Sequence, residues 1–326
     1  MPFTVRTRFD WRLHSRNLAL GSRTLVMGIL NATPDSFSDG GHFVNVDAGV
    51  DRALEMLDEG ADLIDLGGES TKPNAIPVSA AEEQARVLPV LRAILAARPS
   101  AILSIDTYHA ETARMAVEEG AEIINDVSGL LWDEKMAENC AKLGCGAILM
   151  HTRGCPQQWL DQPALPSSEV LPLVLRELEE RAQAALAAGI AREAIVLDPG
   201  FGFGKVRDEN YPLLAQLDEL HTLGYPLLIG VSRKGFLRRT LSEMPKQSDA
   251  FQHATSAANS AAILAGAHIL RVHDIRPARE AAAIADRILD ASLSAMIGAH
   301  TEKGISPHTE KAIIPHNEKD VKADAA

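Results

Sequence analysis

The sequence predicts a single (β/α)8 TIM barrel with a short N-terminal hairpin cap and a disordered C-terminal tail. Short apolar runs alternate with amphipathic helical segments eight times along the chain. Most of those runs are continuously apolar, as strands buried on both faces are. Composition agrees: 46% of residues are hydrophobic but only 4% are aromatic, a mix that suits buried parallel strands under helices. A doubly wound open sheet is the alternative. That fold favours a glycine-rich dinucleotide turn after its first strand, and the first turn here reads NATPDSFSDGG.

Taken in order, the residues before the first strand are expected to form a hairpin that plugs the bottom of the barrel. The strand candidates are TLVMGIL (24–30), DLIDL (62–66), AILSID (101–106), EIIND (122–126), GAILM (146–150), AIVLD (194–198), PLLIG (226–230) and HILRV (268–272). Helical spacing fills the intervals. The first helix, 50–60, closes on Gly60 as a C-cap. The second opens on the capping box Ser79-Ala-Ala-Glu82 and carries Val87, Val90, Leu91, Ile94 and Leu95. The others span 109–119, 133–143, 168–188, 208–222, 249–265 and 276–296. The barrel is therefore expected over 1–297. From His300 the octads HTEKGISP, HTEKAIIP and HNEKDVKA follow one another. They are polar and rich in Lys and Glu, so 298–326 reads as a disordered tail. His300, His308 and His316 read as solvated tail residues rather than a metal site.

The net charge is −12, from 44 acidic and 32 basic residues. A nucleic-acid binder would carry a basic face, so no nucleic-acid partner is expected. The N-terminus has scattered charges and no apolar h-region, hence no secretory signal. No apolar stretch is long enough to span a membrane. Three cysteines without a pairing pattern, Cys140, Cys145 and Cys155, fit a cytoplasmic location. The 140/145 pair reads as small core residues rather than metal ligands.

Active sites of this fold lie at the C-terminal ends of the strands. The residues there are Asn31; Asp65 with GGESTKPN (67–74); Asp106 and Thr107; Asn125 and Asp126; His151; Asp198 with PGFGFGK (199–205); Ser232, Arg233 and Lys234; and Arg271, His273 and Asp274. Each alone reads as a cap or loop residue. Eight strands delivering polar groups to one mouth read as a site. Arg271, His273 and Lys72, with Ser70 and Thr71, can hold an anion. Asp106, Asn125, Asp198 and Lys234 can read a flat heterocycle: a carboxylate accepts paired N–H donors, an amide both donates and accepts, and an ammonium donates to a ring carbonyl. His151 reads as a strand cap.

The stretches GILNATPDSFSDGG, IDLGGESTKP, SIDT, INDVSG, LDPGFGFGK, GVSRKGFL and RVHD resemble, in order and in register with the strands, those of the dihydropteroate synthase family. The likeness covers residues 20–290. It implies condensation of p-aminobenzoate with 6-hydroxymethyl-7,8-dihydropterin diphosphate to give dihydropteroate and pyrophosphate, by a carbocation-like substitution. It implies that Asp106, Asn125, Asp198, Lys234 and Arg271 hold the pterin. Asn31, Thr71, Lys72, Arg271 and His273 would bind the diphosphate. Phe37, Thr71, Pro73, Phe203 and Ser232 would form the p-aminobenzoate pocket. Asp106, Lys234, Arg271 and His273 would be the catalytic set. A Mg2+ cofactor beside Asn31, with Asp35 as a second candidate ligand, would grip the diphosphate. The loop at 31–43 would be a lid carrying Phe37. A homodimer and sulfonamide sensitivity follow by the same analogy.

One departure stands out. Where the family's second loop usually reads STRPGA, this chain has Ser70-Thr71-Lys72-Pro73-Asn74-Ala75. Lys keeps the charge but loses the bidentate fork, and Asn tolerates a left-handed backbone better than most residues. A related barrel that passes a methyl group from methyltetrahydrofolate to a corrinoid protein would not need the Arg-Val-His segment or the TPDSF loop. A silent paralogue that only binds pterin or a partner protein predicts gaps in the rim. A bifunctional folate enzyme would need room for a second domain.

Overall fold

A computed structural model describes residues 3–33, 46–70, 75–243 and 249–302. The hairpin is present: β1 (Phe9–Arg12) pairs antiparallel with β2 (Asn17–Leu20). Eight parallel strands follow: β3 (Leu25–Asn31), β4 (Leu63–Gly67), β5 (Leu103–Asp106), β6 (Ile123–Asp126), β7 (Gly146–Met150), β8 (Ile195–Asp198), β9 (Leu228–Ile229) and β10 (Ile269–Val272). Their order is β8-β7-β6-β5-β4-β3-β10-β9. A parallel bridge between Leu197 and Leu227 joins the two ends of that order and closes the barrel.

The helices among the described residues are α1 (Val46–Asp58), α2 (Ala80–Ala97), α3 (Ala110–Glu118), α4 (Met136–Leu143), α5 (Ser167–Ala187), α6 (Asn210–Ala215), α7 (Gly235–Thr240), α8 (Ala250–Leu264) and α9 (Ile275–Glu302). Gly60 ends α1 as the sequence implies. Its φ of +102° suits glycine, and the amides of Gly60 and Ala61 return to the carbonyls of Leu57 and Met56. The capping box is half made. Ser79 accepts from the amide of Glu82 at 3.2 Å, while the Glu82 carboxylate pairs with Arg86 one turn on. The helix expected over 208–222 divides at Gln216, whose backbone leaves the helical region, and continues as a 3-10 stretch over Leu217–Leu223. The short α7 was not expected. Helix α9 runs to Glu302, past the expected boundary at 297, and the rest of the tail lies outside the described residues.

Strand alternation sorts the interior. Leu25, Met27, Leu63, Ile123, Ile148, Val196, Leu228 and Ile269 pack inside the barrel with Trp11, Leu13 and Leu20 of the hairpin region. The neighbouring strand residues, such as Val26, Ile64, Ile124, Leu197 and Leu270, face the helices instead. That is why the strands read as unbroken apolar runs. Trp11 is fully buried, and its indole N–H donates to the carbonyl of Ala194 at 2.8 Å. Gly146 makes room for the plug: a Cβ there would lie 2.9 Å from Leu13 and 3.3 Å from Trp11. Cys140 and Cys145 are buried core thiols, as expected.

Candidate active site

At the upper end of the same strands the interior turns polar. Asp65, Asn125, Asp198 and Arg271 each stand two residues beyond an apolar interior residue of their own strand. Arg271 is the hub. Its Nε donates to Asp65 Oδ2 at 2.6 Å and its Nη2 to Asp106 Oδ2 at 2.6 Å. Asn125 Nδ2 donates to the same Asp65 oxygen at 2.9 Å. Strand register brings these groups together: Asp106 pairs with Asn125 on one side and with Gly67 on the other. A Cβ at Gly67 would lie 3.4 Å from that of Asp106, an ordinary packing contact, so the two positions are close neighbours across the strands.

Burial dominates the electrostatics. It pushes the Asp106 carboxyl up to about 7; Arg271 opposes this and Asp65 adds to it. Burial, with Arg271, pulls Lys234 down to about 7. Asp198 is raised by burial against the pull of the Gly200 amide. Arg271 is itself desolvated, but Asp65 and Asp106 more than compensate and raise it. The protein thus pays for a charged cluster that water would solvate freely.

A cavity of about 1190 Å³ opens over this cluster. Asn31, Asp106, Phe203, Ser232, Lys234, Arg271 and His273 line it, with Glu69 and Ser70. Asn125 and Asp198 are buried and do not line it. Asp198 Oδ1 accepts from the amide of Gly200 at 2.7 Å. Phe203 offers one ring face to Lys234, whose Nζ lies 3.8 Å from the centroid, and meets Trp159 edge-on at 5.0 Å. Ser232 Oγ lies 3.0 Å from His273 Nδ1 and accepts the His273 backbone N–H at 3.2 Å. Burial, then Arg233 and Arg271, pull His273 down to about 4, so it is a neutral hydrogen-bonding group near neutral pH. Phe37, Asp35, Thr71, Lys72 and Pro73 lie outside the described residues.

Two rim residues turn out to be structural. Asp126 is buried and accepts from the amides of Ser128 and Leu130, building the turn after β6. His151 is fully buried with its Nε2 3.1 Å from Glu177. Two others were undervalued by sequence reasoning. Asp65 stood among the rim residues without a task, yet it joins Arg271 to Asn125. Lys205, the end of PGFGFGK, is buried and donates to the Gly200 carbonyl at 2.8 Å, holding that loop curled. Gly200 has φ +66°, and a Cβ there would sit 1.9 Å from the His151 carbonyl oxygen. Only glycine fits there, which was the legible signal that this loop is built to press against the barrel mouth.

Comparison with known proteins gives the same reading. The family model described as "Pterin binding enzyme" matches residues 27–273, and the chain belongs to that family. It is 40% identical over 280 residues to the dihydropteroate synthase of Bacillus subtilis (strain 168), covering 85% of this chain and 94% of the relative. Among solved structures it is similar to Yersinia pestis dihydropteroate synthase with a sulfonamide drug complex, with TM-score 0.77, 41% identity and coverage of 88% and 100% of the two chains. It is also similar to the Xanthomonas albilineans dihydropteroate synthase in complex with 7,8-dihydropteroate, with TM-score 0.74, 37% identity and coverage of 86% and 98%.

Proposed function

We propose that this chain is a dihydropteroate synthase, a transferase of folate biosynthesis. It joins p-aminobenzoate to 6-hydroxymethyl-7,8-dihydropterin diphosphate and releases pyrophosphate. The observation that carries this is one cavity whose lining includes both Asp106, Lys234 and Arg271 and Asn31, Ser232 and His273. The first group suits a hydrogen-bonding heterocycle and the second an anionic leaving group.

The C–O bond at the pterin methylene breaks, and its electron pair leaves with the diphosphate. The lone pair of the aniline nitrogen then forms the new C–N bond, and that nitrogen sheds a proton. Ionised Asp106 favours the developing cation by charge. Arg271 stabilises the departing diphosphate. Ser232, accepting the His273 backbone N–H, donates its own proton to Nδ1; His273 then keeps its proton on Nε2 and is a neutral donor to the anion. Asn125 and Asp198 complete the pterin set beneath the lining. Arylamines are weakly basic and already nucleophilic, so no general base is assigned. Phe37, Thr71, Lys72 and Pro73 are assigned by the resemblance alone.

Mg2+ is part of the proposal. Asn31 ends β3 and lines the cavity, and its amide oxygen is a hard donor of the kind Mg2+ accepts while keeping most of its waters. Bound there, the ion would neutralise charge on the leaving diphosphate. We also read the protein as a cytoplasmic homodimer. Free thiols at Cys140, Cys145 and Cys155 support the location. Exposed Ile284, Ile288 and Leu293 on α9 support the self-association.

The test is pyrophosphate release by purified protein with dihydropterin diphosphate, p-aminobenzoate and Mg2+, each omitted in turn, with product identified by mass. Release that needs all three, with dihydropteroate formed, is the expected result; a sulfonamide competes with p-aminobenzoate. Pterin binding without turnover overturns the assignment.

A further inference from the structure

We infer that Glu69 is a positioning residue for the reaction: through Tyr108 and His109 it straps the loop after β4 to the loop after β5, and so fixes where Ser70 stands at the cavity. This deepens the synthase reading and rests on it.

Glu69 stands two residues beyond the end of β4 and lines the cavity beside Ser70. Its side chain is 8% exposed, so the carboxylate is desolvated and needs partners. Among the described residues no Lys or Arg pairs with it. Its partners come from the next strand-end loop. The Tyr108 hydroxyl donates to Oε1 at 2.8 Å, and His109 Nε2 lies 3.6 Å from Oε2. Burial, then Glu69, raises the Tyr108 hydroxyl above its ordinary value, so it keeps its proton and donates. Glu69 raises His109 above the ordinary imidazole value, against the opposing effect of burial.

The chain on both sides of this strap is firmly held. Gly67 pairs in register with Asp106, and its carbonyl accepts the Ala32 amide at 2.7 Å. Gly68 is pressed onto α2: a Cβ there would lie 2.7 Å from Val87 Cγ2, and Arg86 Nη1 donates to its carbonyl at 2.7 Å. In the other loop, the Thr107 hydroxyl donates to Glu83 Oε2 of α2 at 2.7 Å and accepts the His109 amide at 3.0 Å. The Tyr108 ring meets Trp132, from the loop after β6, edge-on at 5.0 Å. A desolvated carboxylate is a costly way to stabilise a loop. What it supplies is orientation, because contacts to two adjacent side chains fix where Glu69 can sit. Tyr108 is two residues from Asp106, so the strap ties the chain that carries Ser70 to the chain that carries the carboxylate facing the developing cation. From Ser70 the sequence runs directly into Thr71, Lys72 and Pro73, which the resemblance assigns to the diphosphate and to p-aminobenzoate.

The experiment measures pyrophosphate release in the wild type, E69A, E69Q, Y108F and E69A/Y108F, varying each substrate with the other saturating. Thermal melting checks that each variant folds. In E69A, kcat/KM for p-aminobenzoate falls about tenfold or more. KM for the pterin substrate changes by less than about twofold, because Asp106, Asn125 and Asp198 are held by their own strands. E69Q recovers part of the loss, since its amide oxygen still accepts the Tyr108 proton. Y108F, at a residue outside the cavity lining, moves kcat/KM in the same direction and adds nothing further to E69A, as two members of one contact should. A folded E69A or Y108F enzyme with wild-type kcat/KM overturns the strap, and so do losses that simply add in E69A/Y108F; the synthase reading then stands, because the wild type turns over. A wild type that releases no pyrophosphate overturns both.

Discussion

At the bottom of the barrel, Leu63, Ile123, Val196 and Ile269 share one apolar layer with Trp11. Two residues further along the same strands stand Asp65, Asn125, Asp198 and Arg271. The two layers have the same backbone and the same sheet. They differ only in how far along each strand the side chain sits, and in what covers it. The lower layer is sealed by the hairpin and stabilises the fold by excluding water. The upper layer holds desolvated charge whose mutual pairing at best offsets its own burial. One end supplies stability, and the other uses it to hold groups in perturbed protonation states at a cavity.

Removing Arg271 should break the upper layer most severely. Arg271→Ala takes away the diphosphate donor of the proposed mechanism and leaves Asp65 and Asp106 without their cation. The expected losses are about 10²–10³ in kcat and about 3–5 kcal/mol in stability, read by pyrophosphate release and urea unfolding. Trp11→Ala attacks the lower layer. It should cost about 3–5 kcal/mol in stability while kcat measured on the folded protein stays unchanged. A fall in kcat to match would show that the two ends are not separable.

The pH profile sharpens the contrast. Both Asp106, raised to about 7, and Lys234, lowered to about 7, lose a proton as pH climbs. In the proposed mechanism ionised Asp106 and protonated Lys234 are the active forms. So kcat/KM for the pterin substrate should rise through the acid side of 7 and fall on the alkaline side, giving a bell. Asp106→Asn should abolish the acid limb along with most of the activity. The smallest effect is expected at the boundary between the layers. Ser104 is fully buried, pairs in register with Asp65, and its hydroxyl has no hydrogen-bond partner among the described residues. Ser104→Ala should raise stability by ~1 kcal/mol, visible as a higher melting temperature with unchanged kcat.

The barrel was legible because continuous apolar runs and amphipathic helices repeat with one period, and each run ends in a polar residue. Strand ends moved by a residue or two: β3 and β4 extend to the paired Asn31 and Gly67, whereas β5, β6, β8, β9 and β10 start later than the apolar runs suggest. Helix α7 was not legible: six residues starting on a glycine give no periodicity to read. The site residues were named from their strand-end positions and the motif order. Their partnership was not, because Asp65, Asn125 and Arg271 are far apart in sequence and meet only through the closure of the barrel. Yet the signal was present. Leu63-Ile-Asp65, Ile123-Ile-Asn125, Val196-Leu-Asp198 and Ile269-Leu-Arg271 share one spacing, apolar then polar on the same strand face. Read that way, Asp65 belongs with the other three.

Asp65 is therefore the residue on which to test the account. It lines up with the site but does not touch the cavity, and it holds both Arg271 and Asn125 through one carboxylate oxygen. The measurement is kcat/KM for pyrophosphate release by Asp65→Asn beside the wild type, with melting temperature recorded on the same samples. The account predicts a fall of about 10–100-fold, the worth of a charged hydrogen bond, in a protein that still folds. An Asp65→Asn enzyme with wild-type kcat/KM would contradict the claim that the upper layer of the barrel is the catalytic machinery.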